Sequence, residues 1–297
     1  MTLIAAGCAE PEAEPADKGD GQGSDLRIAS LSPAVSRTLV DLGLEARIVG
    51  RSPFCDFLDP AIPIVGDLRN VNYERLIELD PTHVLVQTSQ KGIDPTLREL
   101  AVEHGWRLEQ WSGVDSIDDI ERMVRELPAI LCAPGSGELE ELTARSAELL
   151  NTIAAALAPG RGAGELWRGR TLLVYALTPV GVFGRGTYLH DVLVRFGATN
   201  AVSADGWVEL TLEDITRLNP QAIIVIRPSP RGTAVKPTDA MEAAGVLATL
   251  DVDAVRAGRI EILTHPDALM PSTAISEVAG EMCRILRRLK EGSVPGS

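Results

Sequence analysis

One pattern occurs twice in this chain, and the repeat limits the possible folds more than any other feature. The first copy spans residues 74–86 and the second spans residues 213–225, so matched positions are 139 residues apart. Each copy contains a glutamate, a helical leucine, an Asp-Pro or Asn-Pro pair and three aliphatic residues. The simplest interpretation is that the chain contains two copies of one α/β lobe.

Short apolar runs alternate with helical patterns upstream of the first copy, in the same predicted lobe. Residues 28–31 form one run, residues 34–42 have helical spacing that ends at Gly43, and residues 47–50 form a second run. Strands that alternate with helices are typical of a parallel sheet covered by helices on both faces. The sequence therefore predicts a doubly wound α/β fold for each lobe.

A single long helix is predicted between the two copies. Leucine and isoleucine recur on one helical face from Leu139 to Leu157, Ser136 can cap the start, and Pro159-Gly160 ends the pattern. Such a helix is about 30 Å long, roughly the width of a small domain. We therefore expect two α/β lobes joined by one helix, with a ligand cleft between the lobes. The predicted segments are a tether at 1–26, a first lobe at 27–135, the connecting helix at 136–160 and a second lobe at 161–297.

Charge and motif content exclude several functional classes. The formal net charge is −14 and no basic stripe is visible, which argues against nucleic-acid binding. No run of 18 apolar residues predicts a membrane span. The chain has no phosphate loop, nucleophile elbow or zinc-protease motif, and its four histidines are scattered. We therefore predict a protein that is not an enzyme, with no catalytic residues, no resident cofactor and no metal site.

The amino terminus has the pattern of a lipid-attachment site. Residues 3–8, ending in Ala-Gly-Cys8, resemble the sequence at which bacterial lipoproteins are cleaved before a cysteine that is then lipidated. Residues 9–25 are acidic and contain no large apolar side chain, as expected of a disordered tether. The residues before Cys8 lack the basic start of a full signal peptide, so an incidental cysteine is the alternative.

The repeat and several local motifs carry a family resemblance. The matching stretches are residues 27–33, Gly43 with residues 48–50, and residues 55–56, 66–75, 79–86, 187–197 and 207–220. Together they resemble the helical-backbone class of periplasmic binding proteins, which serve ABC importers for vitamin B12, haem and ferric siderophores. The branch that looks most similar binds vitamin B12. The resemblance implies a lipid-anchored, monomeric receptor outside the cytoplasmic membrane that delivers a small molecule to a membrane permease.

The repeated glutamates acquire a role from this resemblance. In the family, one glutamate on each lobe contacts arginines of the permease, and Glu74 and Glu213 match those positions. Asn72 and Thr211 are suitable N-caps, so each glutamate is expected in a first helical turn. The alternative is that both glutamates only complement helix dipoles.

Ligand-binding residues are expected in the loops that follow the strands. The candidates are Ser32, Pro33, Phe54, Asp67, Leu68, Arg69, Gln87, Trp111, Arg185, Tyr188 and Trp207. Phe54 and Trp207 match positions where the vitamin B12-binding branch places aromatic rings, which favours a corrinoid ligand. Leu68 and Gln87 replace two other aromatic residues of that branch.

Two other ligand classes stay open. Haem binders place a tyrosine directly after the glycine that matches Gly66, and this chain has Asp67 there; Tyr73 and Tyr188 are weaker candidates for an axial ligand. Ferric siderophores are often anionic, and guanidinium groups suit such ligands. The arginines that could face the cleft are Arg51, Arg69, Arg185 and Arg227.

Three cysteines remain if Cys8 is lipidated. Cys55 and Cys132 both belong to the predicted first lobe and could form a disulfide, although sequence does not define connectivity. Some relatives pair a cysteine at position 196 with one at position 283. This chain has Phe196, so Cys283 is predicted to be a buried free thiol.

Overall fold

The computed structural model describes residues 26–88, 92–158, 166–232 and 239–292. Cys8, the acidic segment 9–25 and the Pro159-Gly160 helix stop lie outside these residues. Within them, two separate β-sheets lie on either side of one long helix in the chain. This arrangement confirms the predicted α/β fold class.

The first lobe contains a four-stranded sheet in which every neighbouring pair is parallel. The strand order is β2-β1-β3-β4, as expected for strands joined by crossover helices. Its strands are β1 (Ile28–Ser30), β2 (Ile48–Arg51), β3 (His83–Thr88) and β4 (Arg107–Ser112), and its helices are α1 (Pro33–Asp41), α2 (Tyr73–Leu79), α3 (Pro95–His104) and α4 (Ile117–Leu131).

Helices cover both faces of the first sheet. Ile28 and Leu85 share a buried cluster with side chains of α1 and α4. Val84 and Val86 point to the other face and share a second cluster with α2 and α3. The alternation of neighbouring strand residues between two apolar layers explains why residues 84–86 in β3 are consecutive apolar residues.

The second lobe contains a six-stranded sheet with mixed directions. The order is β10-β9-β5-β6-β8, with β7 beside the start of β5. Strands β7, β9 and β10 run parallel to β5, whereas β6 is antiparallel to β5 and to β8. The strands are β5 (Arg170–Leu177), β6 (Val180–Phe183), β7 (Thr199–Asn200), β8 (Trp207–Leu210), β9 (Ala222–Ile226) and β10 (Ile260–Leu263). The helices are α6 (Tyr188–Arg195), α7 (Leu212–Leu218), α8 (Ala240–Ala244), α9 (Asp253–Arg256) and α10 (Ile275–Glu291), and the chain has 3-10 turns at Glu45–Arg47 and Gly245–Thr249.

The predicted connecting helix is α5 (Gly137–Leu157), which is 21 residues long. Ser136 caps its start by accepting a hydrogen bond from Leu139 N. Leu142, Ile153 and Leu157 are buried in a cluster that also contains residues of α4 and of α10, the last helix of the chain. The connecting helix is therefore part of a core that is continuous between the two lobes.

The 139-residue repeat is reproduced in the backbone. Helices α2 and α7 are each seven residues long, and the side chains of Asn72 and Thr211 cap their starts. Both helices end at a residue in the left-handed region, Asp80 with φ 41° and Asn219 with φ 43°. Left-handed geometry is uncommon outside glycine, and Asp and Asn tolerate it best, so the repeated Asp-Pro and Asn-Pro pairs mark the same helix end.

An arginine side chain donates a hydrogen bond to the last residue of each of these two helices. The Arg27 guanidinium donates to Leu79 O at the end of α2, and the Arg170 guanidinium donates to Leu218 O at the end of α7. Each arginine thus satisfies a terminal carbonyl that has no partner within its helix. The hydrogen bond from an arginine to the helix end is therefore repeated in both lobes, as the sequence pattern is.

Candidate functional site

A cavity of about 910 Å³ opens at the carboxyl ends of the strands of the first lobe. Ligands of open α/β sheets bind in this place because the loops after the strands converge there. Its lining residues are Leu31, Ser32, Pro33, Phe54, Asp67, Leu68, Arg69, Gln87 and Gly92. The structure thus brings together seven of the eleven residues that the sequence placed in a ligand site.

Ser32 and Gln87 join two of the strands beneath this cavity. Ser32 follows β1, and its side chain both caps α1 at Val35 N and donates to Gln87 Oε1 at 3.0 Å. Gln87 lies near the end of β3 and is half-buried. The hydrogen bond from Ser32 therefore orients the Gln87 amide at the cavity wall, and an amide NH₂ group is a suitable donor to a polar ligand.

A tight turn presents Arg69 at the same cavity. Asp67 Oδ1 accepts hydrogen bonds from Arg69 N at 2.7 Å and from Asn70 N at 3.0 Å. Gly66 has φ 98°, and a Cβ there would lie 2.0 Å from Asn70 O, so only glycine fits. The Asp67 carboxylate therefore accepts its hydrogen bonds from the backbone of its own turn. Among the described residues no ion pair involves the exposed Arg69 guanidinium.

Phe54 is the aromatic side chain that the first lobe exposes most. Its ring is 63% exposed and lines both the first cavity and a second, of about 390 Å³. The second cavity lies between the lobes. Its first-lobe lining is Pro33, Ala34, Phe54 and Gln87, and its second-lobe lining is Pro266, Leu269, Met270 and Pro271. These four second-lobe residues belong to the loop after β10, and a position directly after a strand is the sequence signal that favours a binding role.

A third cavity, of about 480 Å³, lies at the carboxyl ends of β5 and β9 in the second lobe. Its lining residues are Tyr175, Ala176, Leu177, Val225, Ile226, Arg227, Glu242 and Ala243. Sequence reasoning identified Arg227 among these but missed Tyr175 and Glu242. Arg227 is exposed and, like Arg69, is in no ion pair within the described part of the chain.

Trp207 and Arg185 lie on the second lobe outside these cavity linings. The Trp207 side chain is 42% exposed and packs on Phe183 at 4.5 Å and Tyr175 at 5.1 Å between ring centroids. Its Nε1 donates to Asp115 Oδ1 of the first lobe at 3.3 Å. Arg185 is paired with Asp205 at 3.0 Å, so part of its charge is neutralised locally.

Trp111 and Tyr188, two of the predicted ligand contacts, have side chains that are buried in the core. Trp111 is 4% exposed, and its Nε1 donates to Glu126 Oε2 at 2.9 Å. Tyr188 is fully buried, and its hydroxyl donates to Ala268 O at 2.8 Å. Burial raises the pKa of Tyr188 well above its ordinary value, so this phenol stays protonated. Both aromatic residues pack within the protein instead of facing a ligand.

Glu74 and Glu213 occupy matching exposed positions in the first turns of α2 and α7. Among the described residues neither carboxylate has a hydrogen bond or an ion pair. Other side chains of the same helices are paired, Arg75 with Glu78 at 2.6 Å and Asp214 with Arg217 at 2.9 Å. Each lobe therefore presents one carboxylate that is open to an outside partner.

The described cysteines are free thiols. Cys55 and Cys132 are both buried and unpaired, so the disulfide considered between them is absent. Cys283 is a free thiol as predicted, although it is half-buried rather than buried. Burial raises the pKa of the Cys55 thiol, which makes it a poor nucleophile.

No cluster of three metal-ligating side chains occurs within residues 26–88, 92–158, 166–232 and 239–292. The helices in these ranges are all too short or too polar to cross a bilayer.

A family model described as periplasmic binding protein matches residues 28–265. Similar solved structures include a possible iron-binding periplasmic protein from Staphylococcus epidermidis, with 21% identity, a TM-score of 0.67 and coverage of 87% of this chain and 97% of that one. A vitamin B12-binding protein from Vibrio cholerae has 16% identity, a TM-score of 0.65 and coverage of 89% and 98%. A haem-binding protein from a Roseiflexus species has 19% identity, a TM-score of 0.67 and the same coverage. No curated protein matches the chain.

Proposed function

The chain belongs to the periplasmic binding protein family, and from that premise we propose that it captures a corrinoid for an ABC importer. The observation that carries this proposal is the cavity lined by Phe54 and the half-buried Gln87, which continues into a second cavity between the lobes. A flat macrocycle needs an apolar surface for its faces and a few polar contacts at its edge. Phe54 provides the former, and Gln87 and Arg69 provide the latter.

Trp207 supports the same ligand class from the second lobe. Its indole is partly exposed beside Tyr175, which also lines the third cavity. Aromatic side chains bury a large area at a small entropic cost, so one exposed ring on each lobe suits a broad ligand that both lobes contact.

An anionic iron chelate or haem is the second candidate. Arg69 in the first lobe and Arg227 in the second are exposed arginines without an ion pair among the described residues. Separate guanidinium groups on the two lobes suit a ligand that carries carboxylate or catecholate groups at both ends. A corrinoid needs fewer cationic contacts than an anionic chelate does. The change in affinity when these two arginines are replaced therefore distinguishes the two candidates.

Absorbance titration of the purified protein tests the choice. The ligands are cyanocobalamin, cobinamide, haemin and a ferric tricatecholate. If the ligand is a corrinoid, Phe54→Ala weakens binding about tenfold and Arg69→Gln has a small effect. If the ligand is an anionic chelate, Arg69→Gln and Arg227→Gln each weaken binding at least tenfold. Failure of all four compounds to bind would refute both candidates.

We also propose that Glu74 and Glu213 contact the permease. Both carboxylates are exposed and without a described partner, and charge pairs of this kind direct and orient protein association. The double variant Glu74→Arg with Glu213→Arg should retain ligand affinity and lose uptake in cells that carry the cognate importer. Glu103→Arg with Glu148→Arg changes the net charge equally at exposed positions on α3 and α5, and should transport normally. Normal uptake by the first variant would contradict the docking proposal.

Lipid attachment at Cys8 is part of the same proposal. Members of this family act outside the cytoplasm, and an acidic segment after a lipidated cysteine would tether the lobes near the permease. Metabolic labelling with a palmitate analogue should mark the wild-type protein and not Cys8→Ser. Equal labelling of the two proteins would exclude this anchor.

A further inference from the structure

Arg231 reaches from the second lobe to the loop that carries Phe54. It follows β9, and its Nε lies 3.1 Å from Asp56 Oδ1 in the first lobe. The same guanidinium lies over the Phe57 ring, 5.0 Å from the ring centroid. Two consecutive residues of one loop are thus held by one side chain of the other lobe, through an ion pair and a cation–π contact.

A buried carboxylate fixes the Arg231 side chain in turn. Arg231 Nη2 donates to Asp267 Oδ1, and the Asp267 side chain is fully buried. The other oxygen of Asp267 accepts from Arg37 Nη1 of α1 at 3.0 Å. Because a buried carboxylate requires charged partners, Asp267 strongly favours the observed positions of both arginines.

The inner side of the loop is held by Arg51. This nearly buried arginine donates to Ile62 O at 3.0 Å and contacts Ser52 O at 3.4 Å and Cys55 O at 3.5 Å. Phe54 N donates to Ser52 Oγ at 3.3 Å. The first lobe therefore fixes residues 52–55 from within, and Arg231 fixes Asp56 and Phe57 from across the lobe boundary.

We propose that Arg231 is a positioning residue that presents Phe54 to the ligand. Phe54 lies between the two held ends of the loop, and its ring remains exposed at the cavity. A ring held in place before binding loses little conformational freedom when a ligand covers it, which strengthens binding. Arg231 also makes the Phe54 position depend on the relative position of the lobes. This inference rests on the proposed function, because it assumes that the ligand covers Phe54.

A double-mutant cycle tests the inference with cyanocobalamin and haemin as probes. Asp56→Asn removes the charge partner of Arg231 at an exposed position and leaves the buried Asp267 paired. We expect Asp56→Asn to weaken probe binding about fivefold and Phe54→Ala about tenfold, and the double variant to match Phe54→Ala alone. Asp59→Asn, in the same segment but without contact to Arg231, should bind as the wild type does. Additive losses in the double variant, or no loss in Asp56→Asn, would overturn the inference.

Hydrogen–deuterium exchange of residues 52–58 measures the loop without a ligand. Arg231→Met should accelerate exchange in this segment at least threefold, and Arg231→Lys should restore part of the protection because it retains the charge. Unchanged exchange in a folded Arg231→Met protein would contradict the positioning role even if neither probe binds. If exchange accelerates and no probe binds the wild type, the proposed ligand is wrong while the positioning contact stands.

Discussion

Trp207 Nε1 donates a hydrogen bond to Asp115 Oδ1 at 3.3 Å, so an exposed aromatic side chain of the second lobe is tied to the first lobe. Asp115 also accepts at its backbone oxygen from Tyr188 N at 2.6 Å. The segment between β4 and α4 therefore joins the lobes at one place, and the Arg37, Asp267 and Arg231 contacts join them at another. The relative position of the lobes is set by polar contacts as well as by the connecting helix.

The Trp207 hydrogen bond should contribute to the stability of the protein. Trp207→Phe keeps an aromatic ring on Phe183 and removes the donor. Because the bond is partly exposed, we expect the free energy of unfolding to fall by about 0.5–1.5 kcal/mol in urea denaturation. Asp115→Ala should cause a similar loss. If the double variant loses the sum of both, the two side chains do not interact in solution.

Tyr188→Phe tests whether the buried Tyr188 hydroxyl contributes to stability and not to ligand binding. The variant removes a buried hydroxyl and leaves Ala268 O without its donor, so the free energy of unfolding should fall by about 1–3 kcal/mol. The affinity for haemin and the absorbance spectrum of any complex should not change. A large loss of haemin affinity in a protein of unchanged stability would show that Tyr188 contacts the ligand after all.

Asp267 is expected to matter more for stability than any exposed acidic residue. Asp267→Asn leaves Arg37 and Arg231 without their shared charge partner, and breaking a buried ion pair costs about 3–5 kcal/mol. Asp205→Asn is the matched control, since its pair with Arg185 is exposed and should contribute less than about 1 kcal/mol. Equal effects on the free energy of unfolding would mean that the Asp267 contacts are not formed in solution.

Stability should also fall in acid. Burial raises the pKa of Glu277, but the hydrogen bond from His265 and the charge of Arg37 outweigh this effect and leave the pKa below its usual value of 4.5. The carboxylate is therefore more acidic in the folded state than in the unfolded chain. Its contribution to stability is complete above the unfolded pKa and is lost as the pH falls through the folded pKa. Urea denaturation below pH 4.5 should show a shallower loss for Glu277→Gln than for the wild type; parallel pH profiles would contradict this assignment.

Local signals in the sequence predicted much of the fold. The Asp-Pro and Asn-Pro pairs mark helix ends because few residues adopt positive φ, and Ser136 marks the start of the connecting helix because few residues cap well. Seven of the nine residues that line the first cavity are among the candidates from the sequence, because loops after parallel strands must converge at one edge of the sheet.

Sequence periodicity alone does not predict that Trp111 and Tyr188 are buried. Strand alternation shows that Trp111 points to one of two faces, but it does not show that this face packs under α4. The helical pattern likewise does not show that Tyr188 points into the core. Contacts such as Arg37 with Asp267 join residues 230 positions apart and leave no periodic signal, so the boundary between the lobes required the structure.

Ligand capture between the lobes is tested most directly by the affinity of Phe54→Glu for the tightest of the four titrated compounds. Phe54 lines both the first cavity and the cavity between the lobes and is exposed, so a carboxylate there places a charge on the proposed contact surface without entering the core. We predict one ligand per wild-type protein and at least a tenfold weaker affinity for the variant, with the free energy of unfolding changed by less than about 1 kcal/mol. An unchanged affinity in the folded variant would show that the ligand binds elsewhere and would contradict the proposed site.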